Sequence, residues 1–231
     1  MNYSEFLKMM PEAFLVLSLI IVFFGDFFLT KVKVKGYLLQ YLTVGMLAVT
    51  AVATLVCSDP VTAFGGLYVS SQAVNVMKVI LAFGTIIVCI MAQPWIVKSA
   101  MKLEGEFYML VLSTLLGMFV MMSSGNFMLF FLGLEMASVP MACMVAFDKW
   151  KKDSAEGAAK YILTATFSSG VMLYGISFIY AATGTLYFDD VAATITASPL
   201  AIIGLVFFFS GLGFKISLVP FHFWTADTYH L

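Results

Sequence analysis

Seven stretches of this chain are long and apolar enough to cross a lipid bilayer as helices, and that pattern constrains the fold more than any other feature. They run over Glu12–Thr30, Tyr37–Cys57, Val74–Gln93, Glu106–Ser124, Asn126–Phe147, Ala155–Thr183 and Leu200–Trp224. A helix rises ~1.5 Å per residue and the hydrocarbon core is ~30 Å thick, so about 20 residues suffice. The sixth stretch exceeds that length, which implies tilt or an extension past the headgroups. Within lipid every backbone polar group needs an internal partner, which leaves the helix as the spanning element here. Composition agrees: 62% of residues are hydrophobic, 11% are charged, and mean hydropathy is +1.01. Such values exclude an ordinary soluble domain. A net charge of -1 provides no electrostatic footprint for nucleic acid. The reading is an all-α integral membrane protein of about seven transmembrane helices, with residues 1–231 forming a single membrane domain.

The loops orient it. Lys31, Lys33 and Lys35 follow the first stretch, Lys98 and Lys102 the third, and Lys149, Lys151 and Lys152 the fifth. The alternate loops hold no lysine: one carries Asp59, one is the turn Ser123–Asn126, and one carries Asp189 and Asp190. Lysine-rich loops stay cytoplasmic, so the N-terminus lies outside. Tyr37, Trp95, Trp150, Tyr187 and Trp224 near the block ends fit interfacial belts. The run Ala13–Phe24 lacks a signal-peptide cleavage pattern and reads as the first membrane helix. Pro60–Ser71, broken by Pro60 and Gly65–Gly66, is too short to span and reads as a partly buried loop. Asp153 and Glu156 form a candidate capping box for the sixth helix, with Lys160 one turn beyond Glu156.

Two ionisable groups sit deep within apolar stretches. Glu135 lies in Gly133-Leu-Glu-Met-Ala-Ser-Val-Pro140. An isolated carboxylate at that depth takes up a proton; it stays charged only beside a cation or in a wet cavity. Lys215 lies in Leu200–Trp224, whose only other ionisable group is His222. Pro220 follows it and crowds the carbonyl of Ile216, so the seventh helix should break near Lys215–Pro220. Gly211 and Gly213 add slack and allow close helix approach. A broken helix is tolerated where it lines protein or a water-filled cavity, and buried charge at such a place marks an ion or proton pathway. Lys160, about five residues inside the sixth stretch, either snorkels or joins that pathway. His222 is equally a proton shuttle, because imidazole titrates near neutral pH, or a merely hydrogen-bonded side chain. Lys78 and Asp26 read as ordinary charges near block ends. Met118, Met121 and Met122 read as packing residues. Cys57, Cys89 and Cys143 form no CxxC pair and read as small hydrophobic fillers, with no metal, iron–sulfur or disulfide role. Glycine fingerprints, Walker motifs and haem or flavin signatures are absent, so no redox chemistry is expected in these residues themselves.

Several runs are recognisable together: Gly-Leu-Glu-Met-Ala-Ser-Val-Pro (133–140), Ser-Ala-Glu-Gly-Ala-Ala-Lys-Tyr (154–161), Leu-Tyr-Gly (173–175) with Thr-Gly-Thr-Leu (183–186), and the long motif Gly-Leu-Gly-Phe-Lys-Ile-Ser-Leu-Val-Pro-Phe-His-Phe-Trp-Thr-Ala-Asp (211–227). They resemble subunit N of the proton-pumping NADH:quinone oxidoreductase (respiratory complex I), equivalent to mitochondrial NADH dehydrogenase subunit 2. The resemblance is strongest from about residue 126 to residue 229. It implies a proton relay of Glu135 on the fifth helix, Lys160 on the sixth and Lys215 on a broken seventh, with His222 at a polar position of that helix. It also implies quinone, NADH, FMN and iron–sulfur clusters in partner subunits, and neighbouring antiporter-like and small membrane subunits as partners. The location implied is the bacterial inner (plasma) membrane or, alternatively, the mitochondrial inner membrane.

Members of that family are roughly twice as long and carry two inverted repeats. The resemblance therefore implies that residues 1–105 are the first three helices and 106–231 an incomplete first repeat. Such a chain alone should not complete proton translocation. Two other readings stay open: a subunit of a multisubunit sodium/proton antiporter, and an inactive structural fragment.

Overall fold

A computed structural model describes residues 3–29, 35–56, 59–99, 103–148 and 151–229. Cys57, Lys31, Lys33, Lys102, Lys149 and Trp150 fall outside them. After a 3-10 turn at Tyr3–Lys8 come α1 (Met10–Phe28), α2 (Lys35–Val56), β1 (Val61–Ala63), β2 (Tyr68–Ser70), α3 (Gln72–Ser99), α4 (Glu104–Met122) and α5 (Phe127–Val145). They are followed by α6 (Lys152–Thr183), α7 (Phe188–Thr194), α8 (Pro199–Lys215) and α9 (Phe223–Tyr229). Among the described residues, six helices, α1 to α6, are long and apolar enough to cross a membrane. The seventh apolar stretch is not one helix: α8 stops after 17 residues, and α9 resumes only at Phe223.

Local chemistry sets the ends. Asn126 caps α5 by accepting a hydrogen bond from the Met128 N–H at 2.7 Å. Ser198 does the same for α8 from the Ala201 N–H, and Pro199 opens that helix where its missing N–H costs nothing. Gly184, with φ of 76°, ends α6 in the left-handed conformation. α6 starts at Lys152, with Lys151 at its N-cap position making no side-chain cap; the anticipated capping box turns on the Asp153 side chain, which lies outside the described residues.

The segment anticipated as a loop at Pro60–Ser71 is instead an antiparallel hairpin, with Val61 opposite Ser70 and Ala63 opposite Tyr68. Gly65 (φ 66°) and Gly66 (φ 91°) supply the left-handed turn between its strands. The hairpin gains outside partners. The Val69 N–H donates to Ser123 O and the Gly125 N–H to Leu67 O, both at 2.8 Å. On the far side of the α4–α5 turn, the Phe127 N–H donates to Leu186 O and the Phe188 N–H to Gly125 O. The loops without lysine are thus knitted into one rim at one end of the bundle. Charge asymmetry assigns that end to the outside.

Two apolar cores lie beneath the rim. Leu15, Val22, Leu39, Leu47, Ile96, Leu112 and Phe119 join α1 to α4. Phe127, Met172, Ile176, Ile179 and Phe208 join α5, α6 and α8. The seam between them is α4 against α5, where a Cβ on Gly117 would collide with the backbone N of Ala137 and one on Gly133 with that of Met121. Only glycine permits that approach. Cys89 is buried in the first core, whereas Cys143 is exposed.

Candidate functional site

Glu135 is the ninth residue of α5, about 12 Å along the helix from the outer rim. Its Oε1 accepts from Lys215 Nζ at 3.0 Å and from Ser169 Oγ at 2.5 Å. Lys215 Nζ also donates to Ser138 Oγ at 3.3 Å. Three helices therefore meet at one carboxylate. The lysine side chain is 10% exposed and the glutamate 28%, so the pair is largely withdrawn from its surroundings yet open on one side. An ion pair at such a place needs good geometry and extra hydrogen bonds to offset desolvation, and the two serines provide those bonds.

The break in the seventh apolar stretch positions the lysine. α8 ends at Lys215, where a cation complements the negative end of the helix dipole. The chain turns at Ser217 (φ 57°), and the Leu218 N–H reaches back to Gly213 O at 2.8 Å. The break thus precedes Pro220, which lies within the irregular segment. The carbonyl at the break with a side-chain partner is that of Phe214, not Ile216: it accepts from Trp224 Nε1 at 3.1 Å as well as from the Ser217 N–H at 3.2 Å. Trp224 is consequently buried, stacked on Phe214 and edge-on to Tyr161, and does not belong to an interfacial belt. The two glycines have different roles. A Cβ on Gly211 would meet Ser168 O at 2.7 Å, so α6 and α8 need glycine there; a Cβ on Gly213 would make only ordinary contacts with Leu218 and Phe221.

Of the four residues singled out from sequence, the structure joins Glu135 and Lys215. Lys160 is 47% exposed and pairs with Glu156 at 2.9 Å along the surface of α6. His222 is exposed in the turn after α8, stacked on Phe223. Ser138 and Ser169 were not singled out. Their signal was present, since Ser138 lies one helical turn beyond Glu135.

Lys78 is a larger departure. It is fully buried rather than an ordinary charge near a block end, and its Nζ lies 2.7 Å from Glu12 Oε1. Among the described residues, no group of three or more His, Cys, Asp or Glu is placed to hold a metal ion.

Six spanning helices, a broken seventh and a buried carboxylate–lysine pair at the break define a multi-pass membrane protein of the antiporter-like class. Residues 124–230 match the family described as NADH:quinone oxidoreductase/Mrp antiporter, TM. NADH-quinone oxidoreductase subunit N of Phocaeicola vulgatus is 51% identical over 99% of the chain and 48% of its own length. A chain of respiratory complex I from Thermus thermophilus with bound aureothin superposes with a TM-score of 0.78 at 28% identity, over 95% of this chain and 47% of its own. The Mrp complex of Dietzia sp. DQ12-45-1b shares the fold, with a TM-score of 0.74 at 18% identity over 99% of this chain and 44% of its own. The chain is thus similar to NADH-quinone oxidoreductase subunit N over nearly its whole length, and it spans about half the length of the curated relatives it matches.

Proposed function

We propose that this chain is part of a proton-translocating, antiporter-like subunit of an NADH:quinone oxidoreductase in the bacterial inner membrane, where quinone reduction in partner subunits drives proton movement. NADH, FMN and the iron–sulfur clusters belong to those partners, and neighbouring membrane subunits flank this one. The Glu135–Lys215 pair at the end of a helix broken within the membrane carries the reading. While the pair is closed, the carboxylate holds the lysine as an ammonium. When the pair opens, an ammonium left in a medium of low dielectric constant is costly, and the proton is released to whichever side is then connected. Ser169 and Ser138 define the closed state by holding the carboxylate and the ammonium in register. Lys160 and His222 stand toward the inner side and would relay protons to and from the pair by way of water.

The test is Lys215→Ala in the whole complex, assayed in proteoliposomes during quinone reduction. Proton pumping should be lost while the subunit still inserts and assembles. Pumping at the normal ratio would sink the relay. A sodium requirement for the ion movement would place the complex with the sodium/proton antiporters instead.

A further inference from the structure

A second buried ion pair lies between α1 and α3, beneath the outer rim. Glu12 opens α1 and Lys78 lies two turns into α3; they are 4% and 0% exposed. Three hydrogen bonds close a ring. Lys78 Nζ donates to Glu12 Oε1 at 2.7 Å and to the Tyr68 hydroxyl at 3.2 Å, and that hydroxyl donates to Glu12 Oε2 at 3.0 Å. Ser123 Oγ, at the end of α4, donates to Glu12 Oε1 at 3.4 Å. The rings of Tyr68 and Phe119 flank the ammonium at 5.3 and 5.7 Å. Four chain segments therefore converge on two charges, one of them wholly removed from solvent.

The ring is buried but not remote from water. A cleft of about 280 Å³ opens at the same end, with Lys8, Asp59, Ser70, Asn75 and Tyr68 itself in its wall. Tyr68 thus borders the cleft on one side and bonds both members of the pair on the other. Burial and the neighbouring Glu12 carboxylate hold the tyrosine hydroxyl above its ordinary range, so it keeps its proton and acts as a neutral relay. A buried pair whose only role is to tie helices together is often matched by apolar residues. A tyrosine whose hydroxyl bonds both ions and which also lines the cleft is the feature such a tie does not need.

Resting on the translocation reading above, we infer that Glu12, Tyr68 and Lys78 form a second proton-exchange site, facing the outer aqueous phase. In the step, an N–H bond of the Lys78 ammonium breaks as the Tyr68 oxygen takes that proton. The Tyr68 O–H bond breaks in turn as its proton passes to Glu12 Oε2. The ion pair becomes a neutral amine and a carboxylic acid, with no electrons exchanged. Water in the cleft then exchanges protons with the neutral form through the same hydroxyl.

The test uses the whole complex in proteoliposomes and compares Glu12→Gln/Lys78→Met, Tyr68→Phe and Lys215→Ala, with assembly checked on native gels. The neutral double variant should assemble, yet pump several-fold fewer protons per quinone reduced. Tyr68→Phe should slow pumping and change its solvent deuterium isotope effect. Infrared difference spectra between high and low outer pH should show a carboxylic acid band that Glu12→Gln removes. A double variant that assembles and pumps at the wild-type ratio would make the pair a static tie and overturn the inference. If the double variant fails to assemble, Tyr68→Phe decides: an unchanged rate and isotope effect overturns the inference equally. Normal pumping by Lys215→Ala would instead count against the Glu135–Lys215 relay, leaving the outer site to be judged on its own variants.

Discussion

At Glu135 a single carboxylate oxygen receives both a lysine and a serine, and the chemistry of the site follows from that crowding. Glu135→Gln keeps the shape but leaves Lys215 without its counter-charge. Removing one partner of a buried pair costs about 3–5 kcal/mol. Pumping by Glu135→Gln should fall by more than about tenfold, whereas Glu135→Asp, which keeps the charge on a shorter stem, should retain part of it. Equal pumping by the two variants would show that charge at this position is irrelevant. Ser169→Ala removes one hydrogen bond to a charged group, an interaction worth about 1.5–3 kcal/mol. It should slow proton uptake several-fold without blocking it, as measured by the same proteoliposome assay. The sequence exposed Glu135 and Lys215 because charge within an apolar stretch is conspicuous. It hid Lys78 and Glu12 because each lies within two turns of a helix end, where a charge usually reaches water, and only the fold reveals that the hairpin covers them.

Among the elements, α8 is the one whose shape matters most. A chain of apolar residues and one proline signals a broken helix, and the structure breaks there. The break nevertheless begins at Lys215 rather than at the carbonyl opposed by Pro220, because Trp224 returns to bond Phe214 O and gives the helix a terminus of its own. Contact with a residue nine or ten positions onward is invisible to helical periodicity. The hairpin was missed for a related reason: each strand has three residues, too few for an alternating pattern to register. Gly211 offers a test of how α8 is seated. A leucine there would drive its Cβ into the α6 backbone, an overpacking that costs about 1–3 kcal/mol. Gly211→Leu should lower the midpoint of thermal unfolding in detergent, while Gly213→Ala, where a Cβ meets only ordinary contacts, should shift it much less.

For the whole molecule, six spans and their order were legible from apolar length alone, since lipid admits few alternatives. The orientation rests on the lysine-poor loops, which the structure gathers into one rim. On a background without native cysteines, a cysteine placed at Asp189 should react with a membrane-impermeant maleimide added outside, and one at Lys98 only after the inner face is opened. The reverse pattern would invert the assignment. The similarity to subunit N was likewise legible in the motifs around Glu135 and Lys215. The rim was not, because it is made of backbone bonds between segments about 60 residues apart, which leave no side-chain signature.

That rim also sets a lever. Its backbone bonds tie the start of α5 to the loop after α6, all at one end, while Glu135 hangs about 12 Å below. A swing of α5 by about 5° around so short an arm moves the carboxylate by about 1 Å. That displacement stretches a 3.0 Å contact to the edge of what counts as an ion pair. Small tilts at the pivot are thereby converted into the making and breaking of a charge contact, with no need for a helix to slide or unfold.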